Sequence, residues 1–257
     1  MPELATRLAQ AADLLRRARS AVALTGAGLS TPSGIPDFRS PESGLWAQSD
    51  PLEVASLLTF RYEPERFFEW VRPLAALVRQ AQPNPAHLAL AQLEAAGQLQ
   101  SVLTQNIDGL HRRAGSRSVL ELHGGLSTAT CVRCYKRWPG APVLDAFIDT
   151  GALPACADCG GLLKPDVTLM GEELAAGVLK AARWAARHCD VMLIAGCSLE
   201  VMPVAGLPME AVEHGAQLIV VNRQPTYVDE RAAVLIEGDV AEVLPQIAQT
   251  IGGGLHV

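Results

Sequence analysis

The chain has 257 residues, 49 % of them apolar, and a formal net charge of −6. That length and composition fit one large α/β domain with inserts, or two small domains, around a sizeable core. The acidic balance argues against a dedicated nucleic-acid binder and is compatible with a basic peptide partner.

The first element expected is an amphipathic helix. Leu4, Leu8, Ala12 and Leu15 recur at helical spacing, and Arg16, Arg17 and Arg19 gather toward its end. Ala21–Thr25 follows as a short apolar run ending in glycine, the pattern of a strand buried on both faces. Similar runs stand at Ser101–Thr104, Val119–Leu122, Val191–Ala195, Leu218–Val221 and Ala233–Ile236. Helical patterns over Ala86–Ala96 and Glu172–His188 separate some of them. Strands alternating with helices predict a parallel sheet that binds ligands at the carboxyl ends of its strands.

Two stretches interrupt the alternation. Residues 41–84 read as helical and carry Pro51, Pro64, Pro73 and Pro83; residues 126–164 show little periodicity and hold four of the six cysteines. None of the apolar runs approaches the roughly 20 residues a bilayer requires. The N-terminus lacks the basic-then-apolar order of a signal peptide. A cytoplasmic protein is expected, whose cysteines serve some purpose other than disulfides.

Cys131-x-x-Cys134 and Cys156-x-x-Cys159 are separated by 21 residues. Two such pairs read as the four thiolates of a tetrahedral zinc site, against buried thiols or a redox pair. Four protein ligands leave no position for an activated water, so the zinc is expected to be structural. Cys189 and Cys197 fall outside the pattern and read as free thiols.

Gly26-Ala27-Gly28-Leu29-Ser30 follows the first strand, where glycines let the backbone approach a pyrophosphate. The third glycine of the dinucleotide fingerprint would fall at Thr31, and no acidic residue closes a second strand about 20 residues on. A tight strand-to-helix turn explains the glycines equally well. Gly34-Ile35-Pro36-Asp37-Phe38-Arg39-Ser40 is harder to ascribe to packing: it sets an acid, an aromatic and a guanidinium in an aperiodic loop.

Further motifs stand at strand ends: Thr104-Gln105-Asn106-Ile107-Asp108, Leu122-His123-Gly124, Met170-Gly171-Glu172, Gly196-Cys197-Ser198-Leu199 and Val221-Asn222-Arg223. With the glycine loop and the paired cysteines, their order and spacing resemble the sirtuin family over roughly residues 15 to 245. The resemblance implies an α/β fold: a Rossmann-like parallel sheet with a smaller module made of a zinc ribbon and a helical insert. Residues 1–40, 85–125 and 165–257 would form the NAD-binding domain. Residues 41–84 would be the helical insert and 126–164 the zinc-ribbon insert.

The resemblance also implies an NAD-dependent protein lysine deacetylase. NAD is consumed, nicotinamide leaves, and the acyl group passes from lysine to ADP-ribose. His123 would deprotonate a ribose hydroxyl, with Asn106 and Asp108 as the other catalytic residues. From its chemistry alone His123 suits a general base, or equally a core or metal-bound histidine. Gln105 and Asn106 would orient ribose hydroxyls, and Ile107 and Asp108 would bind the carboxamide; Asp108 could also cap a helix. Gly26, Ala27, Gly28 and Ser30 would face the phosphates. Asp37, Phe38 and Arg39 would cover the nicotinamide ribose. Gly196 and Ser198 would hold phosphate or ribose, and Asn222 would reach the adenosine ribose, unless it is only a turn residue.

An acyl-lysine peptide would lie between Val167–Glu172 and Ser198–Val201 as an added strand. Phe38, Val167, Met170, Gly171, Glu172 and Leu199 would be its contacts. Met170 stands where the family usually has phenylalanine, and Cys197 where it usually has threonine. Val71 and Leu74 stand where succinyl-removing members carry tyrosine and arginine, so neutral acyl groups are expected, acetyl first. The same NAD site could serve a protein mono-ADP-ribosyltransferase. A zinc ribbon with Arg133, Lys136 and Arg137 could instead grip nucleic acid while the sheet senses NAD, although a basic run this short is usually a solvated face.

Overall fold

The computed structural model describes residues 2–37 and 50–252. Helix α1 (Pro2–Arg17) leads into strand β1 (Ala21–Thr25). The first insert holds α2 (Pro51–Val54), α3 (Leu57–Tyr62) and α4 (Pro64–Gln80), after which α5 (Pro85–Ala95) leads to β2 (Ser101–Thr104). A single turn, α6 (Leu110–Arg113), precedes β3 (Val119–Glu121). Then come β4 (Gly124–Cys131), β5 (Arg137–Pro139), α7 (Gly140–Thr150) and β6 (Leu163–Val167). The chain continues through α8 (Ala176–His188), β7 (Val191–Ala195), α9 (Leu207–Glu213), β8 (Gln217–Asn222), β9 (Ala232–Glu237) and α10 (Val240–Gly252).

The large sheet runs β3-β2-β1-β7-β8-β9, and every pairing is parallel. Counted within the sheet alone, this is the 3-2-1-4-5-6 order of doubly wound folds, whose direction reverses between β1 and β7. Side chains alternate across it. Ala21 and Ala23 face a core with Leu8, Leu90 and Leu244 from α1, α5 and α10. Val22 and Leu24 face a second core with Ala182 and Leu207 from α8 and α9. Burial on both faces is why these strands read as unbroken apolar runs. Thr25 is level with Thr104 on one side and Ala195 on the other, so three loops leave the sheet at one height.

The second sheet is antiparallel, ordered β5-β4-β6. Helix α7 packs against α4, with the Phe68 and Phe147 rings 5.1 Å apart, so the two inserts share one apolar core. Around the cysteines the buried apolar set is small: Ala129, Cys131, Cys156 and Leu163. Pro64 and Pro85 open α4 and α5 at the position where a missing N–H costs nothing. Among the described residues no helix is long and apolar enough to cross a membrane.

Three local features differ from the sequence expectations. Residues 140–150 form a helix inside the stretch that reads as aperiodic. Its apolar face (Val143, Leu144, Phe147, Ile148) is short and framed by Pro139 and Gly151, which hides the period. The helix expected from Glu172 begins at Ala176, because the Glu172 carboxylate turns back to the Leu169 N–H at 2.8 Å. After β1 come two 3-10 turns, Ala27–Leu29 and Thr31–Ser33, so the strand-to-helix turn that the glycines suggest leads into 3-10 and not α geometry.

Candidate active site and zinc centre

The three level strand ends open into a cleft of about 1360 Å³ between the large sheet and the small module. Its floor is built by backbone. The Gly28 N–H donates to the Gly196 carbonyl at 2.9 Å. A Cβ on Gly196, whose φ is +60°, would lie 2.3 Å from the Leu29 nitrogen, and one on Gly26 would lie 2.9 Å from the Gly196 oxygen. Glycine at these positions is therefore demanded by the crossing of two loops. The same crossing leaves main chain facing the cleft, where a phosphate could approach it.

The loop after β2 is drawn over the glycine turn. Asn106 Nδ2 donates to the Gly26 carbonyl at 2.9 Å and to Ser30 Oγ at 3.1 Å. Ser30 Oγ donates to Asp108 Oδ2 at 2.7 Å, and Asp108 Oδ1 accepts from the Leu110 N–H at 2.8 Å. Asp108 thus closes a turn onto the first N–H of α6, whose N-cap is Gly109, while its second oxygen ties that turn to the glycine loop. Asn106, Ile107 and Asp108 all line the cleft.

His123 follows β3 and also lines the cleft. Its Nδ1 is 3.0 Å from the Gln105 carbonyl oxygen, which can only accept. The proton therefore sits on Nδ1, and Nε2 keeps its lone pair. Burial lowers the affinity of the ring for a second proton, and the bond to Gln105 opposes that in part. At neutral pH the imidazole is a neutral base. Its own carbonyl accepts from the Thr168 N–H at 2.7 Å, which joins it to the loop after β6.

Not every expected contact group points into free space. Gln105 Nε2 donates to Cys197 Sγ at 2.8 Å. The Asn222 amide is bonded at both ends to one residue: Oδ1 accepts from the Cys197 N–H at 2.9 Å, and Nδ2 donates to the Cys197 carbonyl at 2.8 Å. In this arrangement the Asn222 side chain fixes the Gly196-Cys197-Ser198 loop, although the residue borders the cleft. Leu199, expected to touch substrate, is 4 % exposed and packs in the core behind the sheet; Ser198, Glu200 and Val201 line the cleft beside it. Glu172 borders the cleft too, but its carboxylate is directed to Lys164 and to the Leu169 main chain. Ala27, Gly28, Ser30, Asp37, Val167, Met170 and Gly171 line the cleft as well. Phe38 and Arg39 lie outside the described residues.

The cleft continues into the small module. Phe67, Val71 and Leu74 of α4 and Leu144 and Phe147 of α7 line this extension. Of these only Val71 and Leu74 are marked in the sequence; Leu144 and Phe147 belong to a helix whose period the sequence hides. Arg72 turns away from it and donates twice to the Ile148 carbonyl, at 2.9 and 2.7 Å.

The four sulfurs of Cys131, Cys134, Cys156 and Cys159 lie within 4.8 Å of one another. Cys131 and Cys159 Sγ are 3.5 Å apart, and Cys134 and Cys156 Sγ are 3.8 Å apart. Tetrahedral zinc with Zn–S bonds of about 2.3 Å sets sulfurs about 3.8 Å apart, so the donor set and its spacing fit a structural zinc. The nearby basic cluster is locally engaged. Lys136 pairs with Asp158 at 2.5 Å, Arg137 with Asp166 at 3.3 Å, and Arg133 donates to the Cys159 carbonyl at 2.8 Å.

A doubly wound sheet with a glycine-floored cleft at its reversal point is the architecture of a nucleotide-binding α/β protein. Comparison with known proteins narrows the class. Residues 26–203 match the model of the Sir2 family. The chain is 44 % identical over 243 residues to NAD-dependent protein deacylase 2 of Archaeoglobus fulgidus, covering 94 % of this chain and 95 % of that one. It is 40 % identical to NAD-dependent protein deacetylase 1 of Geobacillus kaustophilus, over 92 % and 96 % of the two chains. Among solved structures, Sir2Tm bound to a propionylated peptide is 38 % identical with a TM-score of 0.83, over 95 % and 97 % of the two chains. Sir2Af2 bound to a myristoylated histone peptide is 37 % identical with a TM-score of 0.83, over 97 % and 98 %. The chain belongs to the Sir2 family, the sirtuins, and is an NAD-dependent protein lysine deacylase.

Proposed function

We propose that His123 is the general base of the deacylase, and that acyl-lysine peptides enter between residues 167–172 and 198–201. NAD supplies the electrophilic sugar carbon and the leaving nicotinamide. Nε2 of His123 takes a proton from a ribose hydroxyl, while the Gln105 carbonyl holds the ring in the tautomer that can do so. Asn106, Ile107 and Asp108 orient the nicotinamide and its ribose; Gly26, Ala27, Gly28, Ser30, Gly196 and Ser198 hold the phosphates and outer sugar. Asn222 acts on the outer sugar indirectly, by fixing the main chain of Cys197. Gln105 contributes its carbonyl to His123 and its amide to Cys197.

The observation that carries this reading is the hydrogen bond from His123 Nδ1 to the Gln105 carbonyl, which leaves Nε2 without a hydrogen-bond partner among the described residues of the cleft floored by the two glycine loops. NAD then belongs to residues 1–40, 85–125 and 165–257. Residues 41–84 and 126–164 supply the wall facing it, and the enzyme works in the cytoplasm. For the acyl group, Val71 and Leu74 provide apolar surface and no charge partner. Acetyl is the first substrate, and the apolar extension between α4 and α7 accepts longer saturated chains; the similar Sir2Af2 is bound to a myristoylated histone peptide.

The test is mass spectrometry of the products from NAD and an acetyl-lysine peptide. Nicotinamide and acetylated ADP-ribose are expected in equal amounts. Labelled ADP-ribose on protein without deacylation would make the chain a mono-ADP-ribosyltransferase instead. Faster cleavage of succinyl-lysine than of acetyl-lysine would overturn the assignment of neutral acyl groups.

A further inference from the structure

Lys164 lies on β6, outside every motif that drew attention in the sequence. Its side chain is only 18 % exposed and that of its partner Glu172 only 22 %. Nζ donates to the Val167 carbonyl at 2.7 Å and the Pro165 carbonyl at 3.4 Å, and it lies 3.0 Å from Glu172 Oε2. All three ammonium protons therefore have acceptors. The same Glu172 oxygen accepts from the Leu169 N–H, and the Glu172 N–H donates to the Leu169 carbonyl at 3.0 Å. Together these bonds close residues 167–172 into a turn, with Gly171 at a φ of +84°.

That turn is anchored on two other sides. The Thr168 N–H reaches the His123 carbonyl, and Met170 exchanges main-chain bonds of 3.0 Å with Ala55 and Leu57 of the helical insert. Its side chains Val167 and Met170 face the cleft. A second cavity, of about 230 Å³, borders the turn and is lined by Lys164, Glu172, Glu121, Leu122 and Gly124. Two largely buried charges are costly unless paired, and apolar residues would hold a purely structural contact as well. A charge pair with fixed partners instead sets register.

We propose that Lys164 is a positioning residue for the acyl-lysine site, acting through Glu172 to hold residues 167–172 against the cleft. The inference rests on the reading of that turn as the peptide wall. Lys164→Met, Glu172→Gln, their combination and Lys164→Arg are compared with wild type, with thermal melting as a folding control. Peptide binding is read by fluorescence anisotropy of a labelled acetyl-lysine peptide, and KM is measured for peptide and NAD. Loss of one charged hydrogen-bond network predicts about a tenfold rise in peptide KM and Kd for either single variant. The NAD KM stays within about twofold, the combination is no worse than either single change, and arginine restores most of the affinity.

An unchanged peptide KM, a parallel loss of NAD affinity, or additive single effects would overturn the proposal. Should Lys164→Met fail to fold, the isosteric Glu172→Gln decides by the same readouts. Met170→Ala separates the two ideas. If it leaves peptide KM unchanged, the turn is not the peptide wall. If it raises KM while Lys164→Met does not, the wall stands and the positioning role falls.

Discussion

The large sheet and the small module solve the same problem in opposite ways. The sheet buries both of its faces, and its two apolar cores draw on helices along the whole chain. The cysteine-bearing sheet has three strands, and among the described residues the buried cluster at its centre has four members, two of them the ligands Cys131 and Cys156. A core that small supplies too little hydrophobic stabilisation to hold the fold, so the metal becomes part of the folding free energy. The cleft wall that receives the peptide is therefore expected to depend on zinc, and the NAD floor is not.

Zinc removal is the severest way to separate the two regions. A strong chelator, or Cys131→Ser, should abolish deacylation and remove hydrogen-exchange protection from residues 124–167. Protection of β1, β7 and β8 should remain, because among the described residues their two cores contain none of the four zinc cysteines. Equal loss of protection in both sheets would show that the module and the sheet fold as one unit.

Gly196→Ala attacks the opposite region. A methyl at a φ of +60°, 2.3 Å from the Leu29 nitrogen, forces the glycine loops apart. Strain of this kind costs about 1–3 kcal/mol. NAD affinity should fall about tenfold or more, while zinc content, assayed by metal analysis, stays at one per chain.

A smaller effect is expected in acid, and it belongs to the large sheet alone. His87 and His111 are buried with rings 5.0 Å apart, and His111 Nε2 lies 2.9 Å from Thr25 Oγ1 at the end of β1. Burial pushes their pKa values down to about 4 for His87, where Asp108 opposes it, and about 3 for His111, where His87 adds to it. Unfolding restores them to about 6.5, so the unfolded chain binds more protons below that pH. Their contribution is complete above about 6.5 and is lost as pH falls toward 4 and 3. Urea midpoints should drop between pH 7 and 5, and less steeply in His111→Gln; identical slopes would remove the pair from this role.

The same contrast governs what the sequence makes legible. Val191–Ala195 and Leu218–Val221 are visible as strands because burial on both faces leaves no polar interruption, and they extend by at most a residue at each end. The cysteine spacing discloses the metal because ligand geometry constrains sequence directly. Contacts made by packing carry no such mark. Leu199 reads as a substrate residue from its neighbours, yet its side chain belongs to the core. Gln105 reads as a ribose ligand from its chemistry and Asn222 from the family resemblance, yet their amides are bound to Cys197, a partner 92 residues from Gln105. Helix α7 is hidden because its packing arises only where the inserts meet, and Lys164 because its pairing with Glu172 exists only once the chain turns after β6.

The meeting of the two regions at His123 is tested most directly by calorimetric titration of NAD into wild type and His123→Ala, paired with turnover of an acetyl-lysine peptide. NAD should bind both proteins with Kd values within about twofold, because the imidazole is a base and not a phosphate ligand. Turnover should fall by roughly 10²–10⁴-fold, the usual loss when a general base is removed. A variant that keeps wild-type turnover, or that loses NAD affinity in step with activity, would contradict His123 as the base.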